Sequence, residues 1–217
     1  MKLYIGNKNY SSWSLRAWLI AEKYQLNYQE VKLDLGSKVF YERLENVSPT
    51  LKVPTLIDDD VVIWESLAIC EYINEAYLSG KAWPNSPALR AHARALSSEM
   101  HSSFNALRNA MPMNIRAKKQ IIRTDEVNKD IRRIEQIFTE QYKRFGSQGG
   151  WLFGAWSIAD AMFAPVVLRF QTYGVKLSGE ANAYVEHVLQ CPALKLWCAQ
   201  ALKELEVVEC NEVGSLL

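Results

Sequence analysis

The amino-acid sequence predicts a small α/β domain followed by an all-α domain. Three observations predict it. Strand-like runs alternate with helical stripes through the first 78 residues. A stretch rich in glycine, proline and serine, "SGKAWPNSP", follows at residues 79–87. Beyond it, strand signals give way to long helical patterns. The expected organisation is a first domain over residues 1–78, a linker over 79–87 and a helical domain over 88–217.

Taken in order, "KLYIG" (2–6) is a short β-rich run. After a serine-rich turn, Trp13, Ala17, Ile20, Ala21 and Tyr24 fall at helical spacing. Leu15, Trp18 and Leu19 fill much of the remaining surface, so this helix is expected to be buried on more than one side. "YQEVKL" (28–33) alternates as a strand does, and "KVFYERL" (38–44) reads as a short helix. "PTLI", "DDD" and "VVIW" (54–64) give strand, acidic turn and strand. "SLAICEYINEAYL" (66–78) sets Leu67, Cys70, Ile73 and Tyr77 on one helical face, which completes the order βαβαββα. Past the linker, residues 88–112 and 128–145 read as two long helices, the second carrying Ile131, Ile134, Ile137 and Phe138 at three- and four-residue steps. "SQGG" stops it. Residues 157–174 form a further helix that Pro165 is expected to kink, and two shorter helices run to about residue 205.

The totals exclude several function classes. The chain has 217 residues, 49% of them hydrophobic and 23% charged, in the range of an ordinary soluble globular protein. A net charge of +1 gives no excess to attract nucleic acid or an anionic membrane. No apolar run approaches the ~20 residues that cross a bilayer. The first ten residues enter a strand without the apolar core of a secretion signal, so a cytoplasmic protein is expected. Cys70, Cys191, Cys198 and Cys210 form no C-x-x-C, and His92, His101 and His187 are the only histidines, so no metal site is expected. Buried thiols are the expected state of the cysteines.

Four stretches have two readings each. "NYSSWS" (9–14) places Ser11, Ser12 and Ser14 before or within the first helical turn, where one cap needs only one serine. "KVPTL" (52–56) puts Pro54 at a strand start. The ordinary reading is a trans Val53–Pro54 bond at an edge; the other is a cis turn that leaves the Val53 backbone free to pair with an extended peptide. "WESLAI" (64–69) puts Glu65 and Ser66 at a helix start. They are either a charge and a cap, or an anion site whose acid also takes an amino group, as an α-amino acid terminus requires. "SIAD" (157–160) fits a capping box and is assigned to folding.

The order of these stretches resembles the glutathione transferase superfamily over nearly the whole chain, which implies a thioredoxin-like first domain. "SSWSLRAWL" is similar to the zeta-class S-S-x-S-x-R pattern, and it overlays the C-P-Y-C-x-R-A turn of glutaredoxins with Ser11 and Ser14 at the cysteine positions. "SEMHSSF" (98–104) is similar to a stretch of the bacterial beta class, whose first-turn cysteine this chain lacks. The resemblance implies a glutathione S-transferase of the detoxification type, with glutathione as co-substrate, a small electrophile as second substrate, no metal and a homodimeric state. One serine hydroxyl would donate to the glutathione sulfur and stabilise its thiolate, with Ser11 first in line, Ser12 second and Ser14 left to capping or packing. Val53, held by Pro54, would pair with the glutathione cysteine, Glu65 and Ser66 would hold the γ-glutamyl end, and Lys52 would lie near the glycine carboxylate. Glu99 would reach the γ-glutamyl amine across the dimer, while His101 and Arg108 would line the second substrate's pocket. The serine turn also admits a zeta-like cis–trans isomerase, with Arg16 and Arg108 for substrate carboxylates. The rival class is a non-enzymatic adaptor on the same scaffold.

Overall fold

A computed structural model describes residues 1–216. Strand β1 (Lys2–Gly6) lies inside a mixed four-stranded sheet, because its Leu3 and Ile5 are fully buried and demand cover. It pairs in parallel with β2 (Gln29–Leu33) and antiparallel with β3 (Thr55–Asp58). Strand β4 (Val61–Trp64) closes a hairpin on β3 and takes the edge, giving the order β2-β1-β3-β4. Helices α1 (Ser12–Lys23), α2 (Lys38–Leu44) and α3 (Ser66–Ala76) complete the βαβαββα order. The Ser37 hydroxyl caps α2 by accepting from the Phe40 N–H at 3.0 Å.

The C-terminal part is helical: α4 (Pro87–Ser102), α5 (Asn105–Ala110), α6 (Asp125–Phe145), α7 (Ile158–Thr172), α8 (Gly179–Leu189) and α9 (Pro192–Ala201). The single helix expected over 88–112 is two. Ser103 is extended and Phe104 takes a left-handed conformation at φ 63°, which breaks the ladder. The Arg108 guanidinium then satisfies the freed carbonyls of Met100, His101 and Ser103 from the next helix. A second departure is a two-residue ladder between β5 (Lys119–Gln120) and β6 (Ser215–Leu216), too short for any alternating pattern to announce.

Helix α7 is the central element. It is apolar on every side, and Ile158 through Phe170 are all buried, with α1 and α4 packed against it. Each large side chain sealed here stabilises the fold by roughly 1.5–3 kcal/mol. The Ser157–Asp160 capping box forms as its spacing suggests. Packing α1 on α7 also decides the chemistry, because it brings the serine turn at the start of α1 against the last turn of α7. Cys70 and Cys191 are buried as expected, but Cys198 is half-buried and Cys210 is exposed in the C-terminal tail.

Candidate functional site

The turn between β1 and α1 is anchored from several directions. Asn7 Oδ1 accepts from the Leu35 N–H at 2.8 Å, and the Asn7 carbonyl accepts from the Ser11 N–H at 2.8 Å. The Glu204 carboxylate, from beyond α9, accepts from the Lys8 and Asn9 N–H groups at 2.8 and 2.9 Å. The Lys8 ammonium is buried between the rings of Trp18 and Trp197, 4.9 and 5.2 Å from their centroids, and pairs with Glu30 at 2.7 Å. Tyr10 turns its hydroxyl to Glu212 at 2.7 Å, so that oxygen is engaged with the C-terminal tail.

The three serines then divide. Ser14 is fully buried and accepts from the Gly6 N–H at 3.1 Å and from the Ser11 hydroxyl at 2.6 Å. The Ser11 proton is thus turned into the fold. Ser12, the first residue of α1, instead accepts from Arg169 Nη2 at 3.0 Å. An oxygen that accepts a guanidinium proton on its inner side keeps its own proton for another acceptor.

Ser11 and Ser12 line a cleft of about 560 Å³ together with Trp13, Lys52, Val53, Arg108 and Arg169. Among the described residues, no aspartate or glutamate lines it. Burial lowers Arg169 to about 9, with the Arg108 charge adding to the effect, and burial lowers Arg108 itself to about 10. Both remain cationic at neutral pH, so the cleft favours anions.

A smaller annex of about 150 Å³ shares Trp13, Lys52 and Val53 and adds Thr50, Pro54, Glu65 and Ser66. The Val53–Pro54 bond is cis. Val53 stands before the β3 register begins at Thr55, outside the paired ladder. Glu65 adopts φ 72°, a conformation costly for a side-chain-bearing residue, directly before the free N–H groups of α3. Ser66 Oγ is buried and has no protein partner. Beside it, His101 Nε2 approaches Glu65 Oε2 at 3.5 Å. Burial and the Arg16 charge hold His101 below the usual histidine value. Arg16 is sealed in the fold with Nε and Nη1 unpartnered, its guanidinium 4.3 Å from the Trp13 ring centroid. Burial drives its pKa down, and the like charges of Arg108 and Arg169 push the same way.

Ser11, Ser12, Lys52, Val53 and Arg108 therefore meet in one cleft, and Pro54, Glu65 and Ser66 meet in its annex. Three expected positions fall elsewhere. His101 stands at Glu65 and does not line the cleft, its carbonyl accepting from Arg108 behind the wall. Glu99, expected to act across a dimer, pairs within its own chain with Arg133 at 2.7 and 2.9 Å. Arg16 lies beneath the site and not on its surface. Sequence reasoning passed over Trp13 and Arg169. The signal for Arg169 was available as the one charge after Asp160 in the apolar run of α7.

Residues 10–76 match the family described as "Glutathione S-transferase, N-terminal domain". A probable maleylacetoacetate isomerase of Caenorhabditis elegans is 36% identical over 118 residues, 54% of each chain, so the match spans about half of that relative. A stringent starvation protein A homolog of Haemophilus ducreyi is 23% identical over 188 residues, covering 79% of this chain and 85% of that one. Among solved structures, a Burkholderia glutathione transferase homolog with bound glutathione superposes with a TM-score of 0.71 at 25% identity, over 92% of this chain and 97% of that one. Residues 10–76 therefore carry the glutathione S-transferase N-terminal domain, and the fold is shared over nearly the whole chain with a glutathione transferase homolog.

Proposed function

We propose that this chain binds glutathione, stabilises its thiolate and adds it to a small electrophile. The observation that carries the reading is the meeting of a serine hydroxyl, the unpaired Val53 backbone ahead of β3 and an acid–serine helix start around one cleft and its annex. The annex suits an α-amino acid terminus. Glu65 takes the ammonium, while the Ser66 hydroxyl and the free N–H groups of α3 take the carboxylate, with the Arg16 charge behind them. The Val53 N–H and C=O pair with the cysteine main chain as one added rung of sheet. Lys52, exposed at the mouth shared by both cavities, lies within reach of the glycine carboxylate. Ser12 is assigned as the thiolate donor in preference to Ser11, whose proton goes to Ser14. The two-domain division about residues 79–87, a cytoplasmic location and a homodimer are part of this proposal, and the homodimer rests on the resemblance alone.

A second reading shares every one of these contacts: reversible thiolate addition that isomerises a cis-unsaturated dicarboxylic acid. The cations Arg108 and Arg169 in the cleft favour it, as does the likeness to a probable maleylacetoacetate isomerase. An adaptor role, by contrast, gives no reason to retain a peptide edge and an amino-acid site together.

Titration calorimetry with glutathione tests the reading. Binding heat that S-alkyl glutathione competes away is expected, followed by turnover of a generic aryl halide or of the cis-dicarboxylate. No heat and no competition would leave the adaptor. Glu65→Gln is expected to weaken glutathione at least tenfold, since a hydrogen bond to a charged group contributes about 1.5–3 kcal/mol. Unchanged affinity in that variant would remove the γ-glutamyl assignment.

A further inference from the structure

Arg169 is the least expected group in the cleft. It is carried by the most apolar helix of the chain, it is buried, and its guanidinium is divided between two tasks. Nη1 donates to the carbonyls of Arg108 and Met111, which locks it to the segment leaving α5. Nη2 donates to Ser12 Oγ at 3.0 Å. Among the described residues no carboxylate lines the cleft to neutralise this cation, and its neighbour Arg108 repels it. A buried, uncompensated charge costs several kcal/mol, so a structural clamp alone would be better made by a neutral donor such as glutamine.

We propose that Arg169 is a positioning residue for the thiolate: by filling the inner lone pair of Ser12, it forces that hydroxyl to present its proton to the cleft. A free serine hydroxyl rotates among staggered wells and meets a ligand sulfur only part of the time. With Arg169 attached, accepting from within and donating outward become one arrangement, and the two hydrogen bonds polarise each other. Ser12 stays protonated throughout. The thiol proton of glutathione leaves to solvent, and its sulfur becomes the acceptor of the Ser12 proton. This inference rests on the proposed glutathione site and adds to it a residue that the resemblance did not name.

The test combines two substitutions in a cycle: Arg169→Lys, Ser12→Ala and the pair, with wild type beside them. The readout is the pH titration of bound glutathione by its ultraviolet thiolate absorbance, with circular dichroism to confirm folding. Arg169→Lys keeps a cation but loses the fixed fork, and is expected to raise the bound thiol pKa by about one, a tenfold loss of thiolate on the acid side. In the Ser12→Ala background the same change is expected to add nothing. A shift of equal size in both backgrounds would overturn the positioning role, because the effect would then act through space and not through the hydroxyl. No shift in either background would overturn it as well. If Arg169→Lys fails to fold, Arg169→Gln replaces it; losing the cation shifts the thiol in both backgrounds, so the positioning role then requires a larger shift with Ser12 present than in Ser12→Ala, and equal shifts overturn it. Absence of glutathione binding in wild type would remove the proposed function together with this inference, whereas bound thiolate indifferent to Arg169 removes the inference alone.

Discussion

Ser12→Ala is expected to shift the pH dependence of conjugation to the alkaline side while leaving glutathione affinity within a few fold. A free thiol titrates near ~8.5. The serine site has to favour the anion by roughly 2.7 kcal/mol to bring that value down by about two. One hydrogen bond to a charged acceptor supplies about 1.5–3 kcal/mol of it, and the positive end of α1 contributes a few tenths to 1 kcal/mol more. Removing the Ser12 hydroxyl should therefore cost ten- to about a hundredfold in rate near neutral pH. The sign follows from the reacting species. Rate rises with pH as thiol becomes thiolate, so a higher thiol pKa lowers the rate on the acid side and leaves the alkaline plateau nearly intact.

Ser11→Ala supplies the contrast. Its hydroxyl donates to Ser14, which in turn accepts from the Gly6 N–H. Losing one buried hydrogen bond of this kind costs about 1 kcal/mol of stability and should leave the thiol titration in place. Stopped-flow conjugation across pH for the two variants distinguishes them. If Ser11→Ala moves the titration and Ser12→Ala does not, the donor assignment reverses.

The division among the serines shows how far the sequence could be read. Alternating and helical spacing carried the order of the first seven elements and the apolar stripes of the helices, because burial dictates those periods locally. The E-S and V-P stretches were legible for the same reason: the approach to a strand and a helix start each leave backbone groups unpaired within a few residues. What stayed hidden depends on partners far away in the chain. Arg169 lies 157 positions from Ser12, and only the packing of α7 on α1 joins them. Glu204 reaches Lys8 across 196 positions. The break at Phe104 and the ladder between β5 and β6 belong to the same class, since tertiary contacts override weak local preference at both.

Asp160→Ala is the substitution expected to cost most in stability. Asp160 Oδ2 accepts from the Ser157 N–H at 2.8 Å and the Ser157 hydroxyl at 3.1 Å, while Oδ1 accepts from the Leu152 N–H and the Tyr184 hydroxyl, each at 3.1 Å. All four donors would be left facing an apolar interior. A single orphaned buried donor costs about 1–3 kcal/mol, and partial relaxation brings the total to about 3–5 kcal/mol. In a chain of this length that corresponds to a fall of roughly 10 °C in Tm. Asp160→Asn keeps an acceptor on one side only and should lose about half as much. A pH signature accompanies the loss. Burial pushes the Asp160 carboxyl up to about 6 from the ordinary 3.8, against the pull of its four donors. Between these two values the folded chain holds a proton that the unfolded chain has released, so the contribution of Asp160 declines as pH rises through the window and is level above it. Asp160→Ala should remove that slope, which denaturant melts from pH 4 to 7 would detect. Because Asp160 acts on the start of α7 and Arg169 on its end, the fraction of this variant that stays folded should titrate bound glutathione as wild type does. A shifted thiolate titration in the folded Asp160→Ala protein would mean that α7 transmits strain along its length to Ser12, and that stability and thiolate stabilisation are coupled in this chain.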